Sequence, residues 1–129
     1  MAGSKGSKYY NIFLDFSIKL DHKERGNILN AYKFDLLKQI QESGSLKAAA
    51  DKLGVSYRKA WGNVEEVEQA LGFKLLNRSR GGALGGATCL TEDGAQLISA
   101  YDKLKTDFNQ AIHVMTRDFF HAINKAPNE

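Results

Sequence analysis

SLKAAADKLGVSYRKAWGNVEEVEQALG, Ser45 to Gly72, decides the fold. In its first half Leu46, Ala49, Ala50 and Leu53 fall at the i, i+3, i+4, i+7 spacing of one helical face, with Lys47, Asp51 and Lys52 elsewhere. Ser45 is placed to cap that helix, Gly54 to end it in a left-handed conformation, and Ser56 to cap a second helix two residues later. The turn is therefore very tight, and the pair reads as a helix-turn-helix. In the second helix Tyr57, Ala60, Trp61, Val64, Val67 and Leu71 share one side, leaving Ser56, Arg58, Lys59, Gly62 and Asn63 on the other. Hydrogen-bond donors crowd the N-terminal end of the polar side, while Glu65, Glu66 and Glu68 follow behind and would repel phosphates. A nucleic acid is expected to meet the front of this helix, as base edges meet the N-terminal residues of a recognition helix in the major groove. A helical hairpin with ordinary solvated charges is the competing reading.

Upstream, Gly44 closes a helix that starts near Asn27, a candidate cap, and runs to about Ser43. Its buried face would include Ile28, Ala31 or Tyr32, Leu36, Leu37 and Ile40. Before it, DHKERGN, Asp21 to Asn27, reads as a charged turn. Ile12, Leu14, Phe16, Ile18 and Leu20 alternate with polar residues, the pattern of a half-buried strand that must pair with another element or a second copy of the chain. The first eleven residues open with MAGSKGSK and are expected to be disordered.

Downstream, residues 73–78 and 88–90 flank a glycine-rich loop and predict a β-hairpin, a wing, with Arg78 and Arg80 at the start of the loop and facing a phosphate backbone. The loop has neither the Gly-x-x-x-x-Gly-Lys pattern nor the Gly-x-Gly-x-x-Gly pattern of a nucleotide cradle. Cys89 stands alone, which rules out an internal disulfide framework and a cysteine-based zinc site; a packed or half-packed thiol is expected. From Thr91 a last helix runs to Lys125, about 50 Å at 1.5 Å per residue. Leu97, Tyr101, Leu104, Phe108, Ala111 and Met115 recur along it in alternating steps of four and three, a coiled-coil-like seam. Such a helix carries more apolar surface than one small domain covers, and a symmetric homodimer is the expected partner.

With 129 residues, 43% of them hydrophobic, the chain suits one compact core. No run of about 18 apolar residues exists to span a membrane, and the N-terminus lacks a signal-peptide core, so a cytoplasmic location is expected. The net charge of +3 is modest, yet Lys47, Lys52, Arg58, Lys59, Lys74, Arg78 and Arg80 outweigh Asp51, Glu65, Glu66 and Glu68 in the central segment, the asymmetry of a nucleic-acid-binding face. His22, His113 and His121 lack the spacing of a metal site, and nothing argues for catalysis or a cofactor.

LLKQIQESGSLKAAADKLGVSYRKAW, Leu36 to Trp61, resembles the winged helix-turn-helix domain of the ModE-type molybdate-responsive regulators, relatives of the LysR-type DNA-binding domain. The resemblance continues through LLNRSRGGALGGATCLTEDGAQLI, Leu75 to Ile98. Its most specific pieces are Ser56-Tyr57-Arg58 with Ala60-Trp61, and the double-glycine loop. It implies a mainly α fold with a small β component, a winged helix-turn-helix over residues 12–90, and a long dimerisation helix with a short tail over 91–129. Together with the helical faces it implies double-stranded DNA as partner, contacted by Ser45, Lys47, Ser56, Tyr57, Arg58, Lys59, Gly62, Asn63, Arg78 and Arg80. Full-length members of that family carry an oxyanion-binding effector domain after the DNA-binding domain, whereas this sequence stops at Glu129, so molybdate sensing by this polypeptide is not expected. Two functions are in play: a dimeric, sequence-specific transcription regulator, or a winged-helix module for protein or RNA contacts with no operator. Arg58, Lys59 and Asn63 side by side favour the first, because Arg suits guanine and Asn suits adenine.

Overall fold

Asn30, rather than Asn27, starts the first helix, because the chain before it makes a local hairpin. In this computed structural model, which describes residues 6, 8–78 and 88–124, strand β1 (Leu20–His22) pairs antiparallel with β2 (Gly26–Leu29). His22 Nδ1 accepts from the backbone N–H of Glu24 (3.0 Å) and Arg25 (3.2 Å), Gly26 takes φ 78°, and Asn27 Nδ2 donates to Asp21 Oδ1 at 3.1 Å. Closing so short a loop costs far less entropy than reaching a distant partner. The strand expected over 12–20 is therefore not formed: of that stretch only Leu20 enters a ladder, and Tyr10 and Phe13 sit in isolated bridges. Asn30, in extended backbone, then caps α1 (Ala31–Ser43), its Oδ1 accepting from Lys33 N–H at 3.0 Å.

The helix pair follows as α2 (Leu46–Leu53) and α3 (Tyr57–Leu71), then the hairpin of β3 (Leu76–Arg78) and β4 (Thr88–Leu90), then α4 (Glu92–Ile123). The fold is mainly α with two small two-stranded sheets, and α4 is a long C-terminal helix of 32 residues. Two compact units divide the chain, residues 17–102 in one, 1–16 with 103–129 in the other.

Within the 17–102 unit, α1 buries Phe34, Leu36, Leu37 and Ile40; Phe34 replaces the expected Ala31, which is exposed, and Tyr32, which is half-buried. Across from them lie Leu46, Ala49 and Ala50 of α2, and Ala60, Val64 and Val67 of α3. Ile28, Leu29, Leu75, Leu76 and Ile98 complete the core, and Tyr101 stacks on Phe34 with ring centroids 3.7 Å apart. Burial raises the Tyr101 phenol's pKa.

The root of the wing is fixed by one carboxylate. Glu68, read in sequence as one of three acids on the polar side of α3, is 6% exposed, and its Oε2 accepts from the N–H of Leu75 (2.7 Å) and Leu76 (3.1 Å). Lys74 Nζ stands 3.8 Å from Oε1. Such bonds to an ionised acceptor are among the stronger ones. Beyond the loop, Thr88 N–H donates to Gly44 O (3.0 Å) and Thr91 N–H to Leu75 O (2.8 Å). Thr91 Oγ1 also donates to Lys74 O (2.9 Å) and accepts from Gly94 N–H (3.0 Å), capping α4. Only glycine fits at 94: a Cβ there would lie 2.5 Å from Leu75 O.

In the other unit, Phe108, Ile112, Thr116 and Phe120 follow at steps of four along α4; Thr116 and Phe120 are buried, and Phe16 meets Phe108 edge-on at 6.1 Å. A neighbouring face of the same helix is open, with Leu104 49%, Met115 58% and Phe119 44% exposed.

Candidate nucleic-acid interface

Three backbone devices set the angle between α2 and α3. Ser45 Oγ accepts from Ala48 N–H at 3.1 Å and starts α2. Gly54 ends it at φ 71°, its N–H returned to Ala50 and Asp51 carbonyls, and Val55 N–H also bonds Ala50 O at 3.0 Å. Ser56, one residue on, accepts from Lys59 N–H at 3.0 Å and starts α3. The buried sides of both helices then face a common core, and the start of α3 is left in solvent.

That start presents Ser56, Tyr57, Arg58 and Lys59, all exposed. Tyr57 departs from its expected place on the core side: it is 53% exposed, because it lies one turn before Ala60, where the buried run of α3 begins. Of the three acids behind, only Glu68 is withdrawn from the surface, while Glu65 and Glu66 stay exposed. Glu66 is 3.6 Å from Lys33 Nζ, and Glu68 is buried in the wing root. Gly62 is half-buried, and a Cβ added there would meet nothing within 4 Å, so no neighbour in this chain requires a glycine at that position. Asn63 is half-buried, and its Oδ1 accepts from Tyr32 Oη–H at 2.9 Å. Burial raises the pKa of that phenol above its ordinary value.

On α2, Ser45 is half-buried with its hydroxyl used in the cap, and Lys47 is exposed and 3.5 Å from Asp51 Oδ2. An exposed pair of this kind is worth little and is readily exchanged for a phosphate. The wing pairs Leu76 with Leu90, Asn77 with Cys89 and Arg78 with Thr88. Cys89 is exposed rather than packed, since strand alternation turns Thr88 inward and its neighbour outward. Arg78 ends β3; its side chain, and Arg80 with the rest of the loop, lie outside the described residues. Among the seam residues, Leu97 and Tyr101 are packed against the core of the 17–102 unit, Phe108 is half-buried, and Leu104, Ala111 and Met115 are exposed.

Sequence reasoning passed over Tyr32, Lys33 and the true place of Glu68. Each is a polar residue whose partner sits on another element, and neither spacing nor composition signals such a pair.

Residues 33–95 match the family model of the bacterial regulatory helix-turn-helix proteins of the lysR family. The transcriptional regulator ModE of Haemophilus influenzae is 39% identical over 80 residues, 62% of this chain and 31% of its own length. The DNA-binding transcriptional dual regulator ModE of Escherichia coli K12 is 37% identical over 86 residues, 67% of this chain and 33% of its own. This chain thus spans about a third of the length of the curated relatives it matches. Among solved structures, a CbnR DNA-binding domain in complex with DNA shares the fold, with TM-score 0.53 and 23% identity over 70% of this chain and 95% of that one. The capped helix pair and the hairpin after it thus lie in the stretch that is similar to the lysR-family helix-turn-helix model over residues 33–95 and to the ModE regulators over 80–86 residues.

Proposed function

We propose that the chain is a sequence-specific, double-stranded DNA-binding transcription regulator that acts as a homodimer. One observation carries the reading: on a lysR-family helix pair, the solvent-facing start of α3 offers Arg58 and Lys59 beside the Ser56 cap, while Glu68 behind them is buried in the wing root. Arg58 is the reading residue, its planar fork matched to the O6 and N7 of guanine, and Lys59 is a phosphate contact. Ser45, Lys47, Tyr57 and Asn63 border the same surface, and Arg78 and Arg80 of the wing add backbone contacts. No helix among the described residues is long and apolar enough to cross a membrane.

The dimer rests on α4. Leu104, Ala111, Met115 and Phe119 form an exposed row beside the face on which Phe108 meets Phe16. A second copy removes that row from water in the two-fold arrangement most oligomers adopt.

Randomised-site selection tests the function. Arg58→Ala should cost about 1–3 kcal/mol and relax preference at one base position in each half-site, whereas Lys59→Ala should weaken binding without changing the preferred base. If Arg58→Ala keeps the full wild-type preference, Arg58 does not read sequence. If the wild type selects no sequence at all, the competing function, a module for protein or RNA contacts, takes its place.

A further inference from the structure

We propose that Tyr32 is a positioning residue for sequence reading, its hydroxyl anchoring the Asn63 carboxamide so that the amide nitrogen is the end offered to a DNA base. The inference rests on α3 being the recognition helix.

Tyr32 lies in the first turn of α1, 31 residues from Asn63 in sequence, and its Oη–H donates to Asn63 Oδ1 at 2.9 Å in a half-buried site. Beside it Lys33, whose side chain is only 15% exposed, donates to Ile28 O at 3.3 Å and stands 3.6 Å from Glu66 Oε2. The first turn of α1 thus grips α3 at positions 63 and 66, three residues apart and on one edge of the helix. That edge adjoins the reading surface, since Lys59 is four residues before Asn63 and Gly62 directly before it.

Asn63 Nδ2 makes no hydrogen bond to a described residue, and it is not among the fully buried polar atoms left without one. A carboxamide can turn over with almost no change of shape, exchanging donor for acceptor. Here the turned form would make Oη the acceptor of Nδ2–H and release the hydroxyl proton from Asn63, so the observed pairing is the one in which the phenol donates. Anchored as observed, the amide shows N–H donors. These match the N7 of either purine, the O6 of guanine or the O4 of thymine, and they oppose the N4 donor of cytosine. The phenol thereby turns an ambiguous side chain into one that rejects cytosine.

The test is randomised-site selection with the full chain as wild type, Tyr32→Phe, Asn63→Ala and the double variant. The wild type should exclude cytosine at one position of each half-site. Tyr32→Phe should admit cytosine there about five-fold more often, the factor expected from one ordinary hydrogen bond. Asn63→Ala should erase the preference at that position, and Tyr32→Phe should add nothing on that background. A purely structural role for Tyr32 would instead lower affinity for all sequences alike. That outcome, an unchanged preference in Tyr32→Phe, or an unchanged preference in Asn63→Ala would each overturn the proposal. Should Arg58→Ala still relax its own position in that case, the DNA-reading function stands and only the Tyr32 anchor fails; a wild type with no base preference removes both.

Discussion

Replacing Gly94 with alanine should destabilise the chain even though alanine is the better helix former. The added Cβ would lie 2.5 Å from Leu75 O, 3.3 Å from Leu90 Cβ and 3.4 Å from the Leu75 carbonyl carbon. The carbonyl has little room to retreat: it accepts Thr91 N–H at 2.8 Å, while the N–H groups of Leu75 and Leu76 are held by the buried Glu68. Overpacking of this kind costs about 1–3 kcal/mol, and loosening the Thr91 bond about 1 more. Alanine's advantage over glycine inside a helix returns at most about 1 kcal/mol, and less in the first turn. The net loss should be about 2–3 kcal/mol, which for a chain of this length lowers Tm by roughly 6–15 °C. Thermal and urea denaturation followed by circular dichroism measure it directly. A change within about 0.5 kcal/mol of wild type, the range of an innocuous surface substitution, would refute the close approach of α4 to the wing root.

Gly62→Ala is the mirror case, since nothing lies within 4 Å of its Cβ position: Tm should rise, by the equivalent of about 1 kcal/mol, while duplex affinity falls if the groove comes close to that backbone. A stabilised variant with wild-type affinity would show that DNA leaves room for the methyl group. Glu68→Ala strands two backbone N–H groups and should cost about 2–4 kcal/mol by urea denaturation; a wild-type midpoint would mean the carboxylate holds nothing. Leu104→Asp with Met115→Asp spares the Phe16–Phe108 contact, so sedimentation should report monomer while far-ultraviolet circular dichroism stays unchanged; wild type sedimenting as a monomer at micromolar concentration would remove the dimer. Arg80→Ala should weaken binding to every sequence and reduce the salt slope by about one, and an unchanged slope would leave Arg80 without a phosphate role.

The helix pair was legible because its signals are local. Ser45, Gly54 and Ser56 act on backbone groups within three or four residues of themselves, and the apolar spacing of Leu46, Ala49 and Ala50 needs no distant neighbour to be read. The N-terminal region misled for the opposite reason. Its alternation is real, but the turn at His22 and Gly26 captured only Leu20 into a ladder and displaced the helix cap from Asn27 to Asn30, which in turn brought Phe34 into the core. Glu68 stands among other acids and reads as solvated; the backbone groups it holds arrive seven and eight residues later, at the start of the wing. Tyr57 has the right spacing for the core face yet lies a turn too early to be covered.

The wing's two strand ends are each secured by groups that lie outside the loop itself. Glu68 holds the outgoing strand at Leu75 and Leu76, and the Gly44 carbonyl holds the returning one at Thr88. Nothing in those bonds depends on how many residues run between Arg78 and Thr88. Each doubling of the length between two anchors costs only about 0.6 kcal/mol in closure entropy, little against the bonds that hold the anchors themselves. The frame that anchors both strands is in this sense separable from the interval it holds, and open to grafting.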